Sequence, residues 1–370
     1  MFKGKVIVIY GARQVGKTTL IEQIRKKYPT DSVYLNCDEP DVRLSLTNIT
    51  STALKKFIGD KKLVFIDEAQ RVENIGLTLK LAVDNMPEIQ VVATGSSSFE
   101  LSNKIVEPLT GRKYEFFLYP LSMRELAQNY SAVELSRLLE QRIIFGMYPA
   151  VAQGAGDAGE TIKNVARSYS YKDVLNYSGI RNPEVLEKLL QALALQLGSE
   201  VSYSELSRLV GVNRITVQNY INILEQAFII YKLRPYSRNR RKELGKLHKV
   251  YFFDTGMRNA LINNLNPAPL RADIGALWEN FWINERIKDN SAAGRDVNSF
   301  FWRTYSKQEV DYVEEADGKV AGHECKWRLP VKTSAPTEWA ELYGENSYSV
   351  ETPENFIDEL YATRIKPFSK

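Results

Sequence analysis

At 370 residues the chain is too long for one compact domain and long enough for two to four. Its 44% apolar and 25% charged residues exclude a disordered or fibrous protein. No apolar run approaches a membrane span, and two distant cysteines, Cys37 and Cys325, exclude a disulfide framework and favour a reducing cytoplasm.

The first apolar run, Val6–Ile9, is too short for a signal-peptide core and lies in a buried strand read at Val6–Tyr10. It runs into Gly11, Ala12, Arg13, Gln14, Val15, Gly16, Lys17 and Thr18, with Thr19 next, in the spacing of a phosphate-binding P-loop. Gly11 and Gly16 are expected to let the backbone turn its N–H groups onto an anion. Lys17 would supply charge to the outer phosphates, and Thr18 a hydroxyl to magnesium. A nucleoside triphosphate, ATP, is the expected ligand.

Ser32–Asn36 reads as a second strand and Leu63–Ile66 as a third, ending on Asp67 and Glu68. Asp67 fits the acid that holds the magnesium shell. Glu68 fits the base that orients and deprotonates water, which points to hydrolysis. Gln90–Thr94 and Tyr114–Leu118 complete five strands alternating with amphipathic stretches, so a parallel sheet covered by helices is expected over 1–130. One strand between the P-loop strand and the Asp67 strand, with Glu68 directly after Asp67, resembles the additional-strand P-loop ATPases, the AAA-type among them. Ser96 then resembles the residue that senses the γ-phosphate. Arg112 resembles a trans-acting or sensing arginine; acting across a subunit boundary, it would imply a homo-oligomer.

From Leu121 the pattern becomes helical, with a helical lid expected over 131–180. Residues 181–254 read as helix (Pro183–Leu197), capped short helix (after Ser202), glycine turn at Gly211, longer helix (Asn213–Gln226) and hairpin. That order is a winged helix-turn-helix, whose third helix would present Arg214 to a duplex. The net charge of +4 is concentrated here. Between Tyr231 and Val250 eight basic residues face one acid, Glu243, a local +7 that leaves the rest of the chain slightly acidic. Lys232, Arg234, Arg238, Arg240, Arg241, Lys242, Lys246 and Lys249 would lie on the wing, where phosphate contacts are expected. Nucleic acid, duplex DNA in particular, is the expected partner.

Over 255–370, a helix at Ala276–Ile287 carries Glu279, a strand carries Asp311, and another carries Glu324 and Lys326. Strand alternation puts Glu324 and Lys326 on one face. Glu279, Asp311 and Glu324 are expected to converge on a divalent cation with Lys326 at its rim. This order resembles the restriction-endonuclease-like PD-(D/E)xK fold. Taken together, the blocks resemble a group of prokaryotic AAA-type ATP-binding proteins that end in a restriction-endonuclease-like domain of unknown function. Besides the P-loop, Val250 to Gly256, Trp278 to Asn280, Glu309 to Asp311 and His323 to Lys326 carry the likeness. It implies an α/β chain with ATPase core, lid, winged helix and nuclease-like domain, using ATP and Mg2+. A helical segment ahead of the first strand is common in that group; here only Met1 to Gly4 stand there, leaving adenine-versus-guanine selectivity open.

Overall fold

The computed structural model describes residues 4–95, 105, 108–154, 156–172, 182–237, 247–329 and 333–362. They form two compact units, one of Met1–Tyr119 with Gln226–Phe228, the other of Pro120–Glu225 with Ile229–Lys370.

The first unit is built on five parallel strands: β1 (Val6–Gly11), β2 (Ser32–Asn36), β3 (Leu63–Asp67), β4 (Gln90–Gly95) and β5 (Lys113–Leu118), ordered β2-β3-β4-β1-β5. β3 and β4 are buried at every position, which is why both read as continuous apolar runs and not as alternation. Ile9, Ile21, Leu63, Phe65 and Val92 form the core between sheet and helices. Because all five strands run the same way, the ends of β1, β3 and β4 meet on one edge. Ligands of open α/β sheets bind at that edge.

The second unit contains a seven-stranded sheet. Its strands are β6 (Glu200–Val201), β7 (Ile230–Pro235), β8 (His248–Phe252), β9 (Asn298–Arg303), β10 (Glu309–Ala316), β11 (Lys319–Cys325) and β12 (Tyr348–Glu351). The order is β12-β11-β10-β9-β7-β8-β6. Helices Pro183–Leu195, Tyr203–Val210 and Arg214–Gln226 precede the β7–β8 pair. Ser202 caps the second of them and Gly211, at φ 74°, ends it. β7 continues past β8 to pair in parallel with β9, Arg234 opposite Phe300. The sheet therefore runs across the 254/255 boundary expected from the sequence. Helices Ala132–Phe145 and Ala158–Lys172, in the stretch expected to be a lid, pack on helix Thr255–Leu261 within this same unit.

One buried clasp joins these parts of the second unit. Asp254 caps helix Thr255–Leu261 by accepting from the Met257 N–H at 2.9 Å, and also accepts from Met147 N–H at 2.7 Å. A Cβ on Gly146 would stand 2.1 Å from the Asp254 carboxylate, and one on Gly256 only 2.0 Å from the Phe145 carbonyl. Asn259 closes the contact by donating to Ile144 O at 2.8 Å. Asp254 and Gly256, part of the stretch most specific to the resembled group, thus hold helices together. Gly256→Ala is expected to destabilise this unit by about 2 kcal/mol or more, since the opposing atoms are backbone and cannot rotate away. All five tryptophans lie between 278 and 339, so the urea midpoint of tryptophan emission reports this unit alone. An unchanged midpoint would count against the clasp.

Candidate functional site

The P-loop uses its two glycines differently. Gly11 ends β1, and a Cβ there would lie 2.3 Å from the Leu118 carbonyl of β5, so only glycine lets the strands approach. Gly16, at φ 101°, stands as N-cap of helix Lys17–Arg25 and brings no side chain to cap it. The sequence reading gave both glycines one task of wrapping an anion; Gly11 is also required by the close approach of β5. The first-turn N–H groups of the helix therefore point at the loop uncapped by Gly16, the arrangement that binds phosphate. Lys17 is buried, and its ammonium donates to Gly11 O at 2.9 Å and Ala12 O at 2.7 Å, inside the loop it follows. Gln14 also takes a left-handed backbone, φ 60°. Ala12 and Val15 are buried, Arg13 is half-buried, and Thr19 is exposed.

Asp67, 3% exposed, gathers the rest. Its Oδ2 accepts from Thr18 Oγ1 at 2.9 Å and from the Tyr34 hydroxyl at 2.7 Å. Its Oδ1 accepts from the Thr94 hydroxyl in a short bond and from Glu68 N–H at 3.2 Å. Burial and the neighbouring Asp67 push the Tyr34 phenol well up, so it remains a donor. Glu68 itself takes φ 52°, with its N–H also 3.3 Å from Thr94 Oγ1 and its Oε2 accepting from Gln70 Nε2 at 2.5 Å. Thr18 and Asp67 form a hard-oxygen pair beside the phosphate loop, which fits magnesium carried in by a nucleotide.

Tyr34 and Gln70 were not singled out from the sequence, and in the run from Thr94 to Ser98 the sensing role was given to Ser96. Thr94 sits one residue before the end of β4, next to β3, and its position in the strand order was the available signal. Ser96, the expected sensor, lies outside the described residues. Arg112 stands at the other end of the sheet: its carbonyl accepts from Val6 N–H at 2.9 Å, beside the first residue of β1. Six residues of β1 separate that end from the P-loop, about 20 Å at ~3.3 Å per residue. Its guanidinium pairs with Asp84 at 2.7 Å. Arg112 cannot reach the phosphate loop of its own chain.

The acidic residues of the second unit are neighbours, but around a resident cation. Asn280 accepts from Phe252 N–H at 3.0 Å and donates to its carbonyl at 2.8 Å, tying β8 to helix Ile274–Ala292. Alternation then aims Lys249 and Tyr251 of β8 the same way, at Glu279. Lys249, 3% exposed, lies 2.5 Å from Glu309, 3.4 Å from Glu279 and 3.8 Å from Asp311. The Tyr251 hydroxyl donates to Glu279 in a short bond. Asp311 accepts from Cys325 N–H at 2.9 Å, and Lys326 pairs with Glu324 at 2.5 Å. Among the described residues no group of three or more His, Cys, Asp or Glu is placed to hold a metal ion. The structure therefore does not assemble the expected cation site from Glu279, Asp311 and Glu324. The Lys249 ammonium, expected on the basic wing, stands among the carboxylates instead.

The rest of the basic run is partly neutralised as well. Lys232 pairs with Glu225 at 2.8 Å, while Arg234 is exposed. Arg238, Arg240, Arg241, Lys242 and Lys246 lie outside the described residues. Arg214 is exposed at the start of its helix, alongside Ile215, Gln218 and Asn219. No described helix is long and apolar enough to cross a membrane.

Residues 3–127 match the family model of an AAA domain. Residues 136–268 and 274–360 match two domains of unknown function, DUF8612 and DUF4143. Similar proteins are an uncharacterised protein of Mycobacterium tuberculosis, Rv2008c, 27% identical over 91% of this chain and 72% of its own length. Another, from Haemophilus influenzae, is 26% identical over 88% of this chain and 83% of its own. Among solved structures, the Walker-type ATPase PABY2304 of Pyrococcus abyssi covers 69% of this chain and 90% of its own. It does so at 16% identity with a TM-score of 0.43. The match to the AAA-domain model thus covers the first unit and its P-loop, and the match to DUF4143 falls within the second.

The buried cluster makes stability depend on pH. Burial and the nearby Asp311 push the Glu279 carboxyl up to about 8, and burial with Asp311 pushes Glu324 up to about 7. An unfolded chain releases these protons near pH 4.5, so between about pH 5 and 8 the folded state holds more protons. Stability therefore falls as pH rises across that window. Glu279→Gln is expected to flatten the fall, measured by urea unfolding of tryptophan emission at several pH values from 5 to 8. An identical slope in the variant would remove Glu279 from the account.

Proposed function

We propose that the first unit is a magnesium-dependent ATPase. The observation that carries this is the convergence of Lys17, Thr18, Asp67, Thr94 and Glu68 on one sheet edge. Lys17 and the first-turn N–H groups hold the phosphates, and Thr18 with Asp67 holds magnesium, which when bound offsets phosphate charge. Glu68, the most solvent-accessible of the acids here, orients a water and takes its proton. Lys17→Ala is expected to abolish nucleotide binding. Glu68→Gln is expected to preserve binding, read with a fluorescent ATP analogue, while turnover falls by about 10²–10⁴. Wild-type turnover in Glu68→Gln would overturn the assignment of the base.

A second reading rests on a separate observation. The helix Arg214–Gln226 offers an exposed polar face at its N-terminus and lies in a helix, strand, helix, helix, hairpin series. We read this as a winged helix-turn-helix that contacts duplex DNA, with Arg214 and the Arg238 to Lys242 run touching phosphates. On this reading the C-terminal sheet, with its Glu279, Asp311 and Glu324, is a nuclease-like fold that binds without cutting, with the Lys249 ammonium standing among its carboxylates. Duplex affinity should fall steeply with salt, and Arg214→Glu should lower it for every sequence alike. Affinity that is flat in salt, or cleavage of the DNA in magnesium or manganese, would sink this reading.

A further inference from the structure

Directly after Glu68 the chain forms a single 3-10 turn, Ala69–Arg71, and both Ala69 and Gln70 are buried in it. The turn is closed by Arg71 N–H donating to Glu68 O at 3.0 Å, and anchored outside by the Arg71 pair with Asp38 at 2.5 Å. It sends the Gln70 side chain back toward Glu68, where Nε2 meets Oε2 at 2.5 Å. Among the described residues, Oε1 of Glu68 accepts no hydrogen bond. The carboxylate is thus pinned through Oε2. The backbone of Glu68 is pinned as well, its N–H directed at Asp67 Oδ1 and Thr94 Oγ1.

We propose that Gln70 is a positioning residue for hydrolysis, holding Oε2 of Glu68 so that Oε1 faces the attacking water. The inference rests on Glu68 being the hydrolytic base. In this role Gln70 acts through Glu68, by the Nε2–Oε2 bond. A carboxylate on a flexible stem samples several rotamers, and displacing a catalytic group by about 1 Å can cost on the order of 10² in rate. The proton moves from water to Oε1 of Glu68 as the water oxygen bonds to the γ-phosphorus and the bond to the β–γ bridging oxygen breaks, leaving ADP and phosphate. Gln70 neither gains nor loses a proton in that step.

The test is a kinetic cycle on the full chain with ATP and magnesium, using Gln70→Met, which keeps volume and removes the donor, Glu68→Gln, and the double variant. Gln70→Met is expected to lower kcat by about 10- to 100-fold with KM and ADP affinity changed by less than about threefold. In single-turnover measurements the double variant should be no slower than Glu68→Gln alone, because Gln70 has nothing left to position. Gln70→Glu, which keeps the size and sets carboxylate against carboxylate, should lower kcat in the same way and serves if the methionine variant does not fold. Equal kcat in Gln70→Glu and wild type would overturn the proposal, as would a loss that multiplies with Glu68→Gln. A wild-type chain without turnover would overturn the ATPase reading itself and this inference with it.

Discussion

The first unit depends on the Asp67 carboxylate. Two oxygens take hydrogen bonds from Thr18, Tyr34, Thr94 and the Glu68 N–H, drawing β1's helix, β2, β3 and β4 to one point. A carboxylate buried to 3% exposure is costly unless its lone pairs are met, and these four donors meet them. The strand order β2-β3-β4-β1-β5 is what makes the meeting possible. It places β4, carrying Thr94, between the strand of Asp67 and the strand that feeds the P-loop. The same bonds fix Glu68 in its left-handed backbone, a conformation that non-glycine residues adopt at some cost and that here turns the side chain away from β3.

The second unit solves charge burial by another route. Its acids are compensated by a protein cation that arrives on β8, a strand the sequence reading assigned to a separate winged module. Burying charge is tolerable when the partner is close and further hydrogen bonds finish the shell, here Tyr251 on Glu279 and the Cys325 N–H on Asp311. The fusion of β7 to β9 makes that possible, because it carries the β7–β8 hairpin into the sheet that bears Asp311 and Glu324. Asn280, beside Glu279, secures the same strand through the Phe252 peptide.

Much of the first unit was legible in the sequence for a simple reason. The buried parallel strands β1, β3 and β4 are nearly uninterrupted apolar runs, and all five expected strands agree with the observed ones within a residue at either end. The P-loop spacing and the Asp67–Glu68 step could be read because each role needs its own residue at a set offset. Thr94 was harder: a threonine inside a strand looks like any β-branched residue until the neighbour strand is known. Lys249 was misplaced because a charge count along the chain ignores which way alternate residues point. In a strand whose Val250 and Tyr251 are both fully buried, position 249 had little chance of facing solvent. The β7–β9 pairing was invisible for a different reason, since it joins residues far apart in sequence through backbone bonds that carry no side-chain signature.

The two carboxylate centres differ in what surrounds them, and that difference bears on what each can do. Asp67 is met by hydroxyls and an N–H, neutral donors that can turn toward water or a metal shell without leaving a charge unpaired. Such a site can take up and release a cation in each cycle at small cost to the fold. Glu279, Glu309 and Asp311 are met by an ammonium that belongs to the chain, with 3% exposure and three acids within 4 Å. Displacing that ammonium with a metal would strand it in a buried setting, a penalty of several kcal/mol per ion before any metal bond forms. The first arrangement suits a centre that turns over with its ligand. The second suits a permanent joint between a hairpin and a sheet, held by the Lys249 ammonium among its carboxylates.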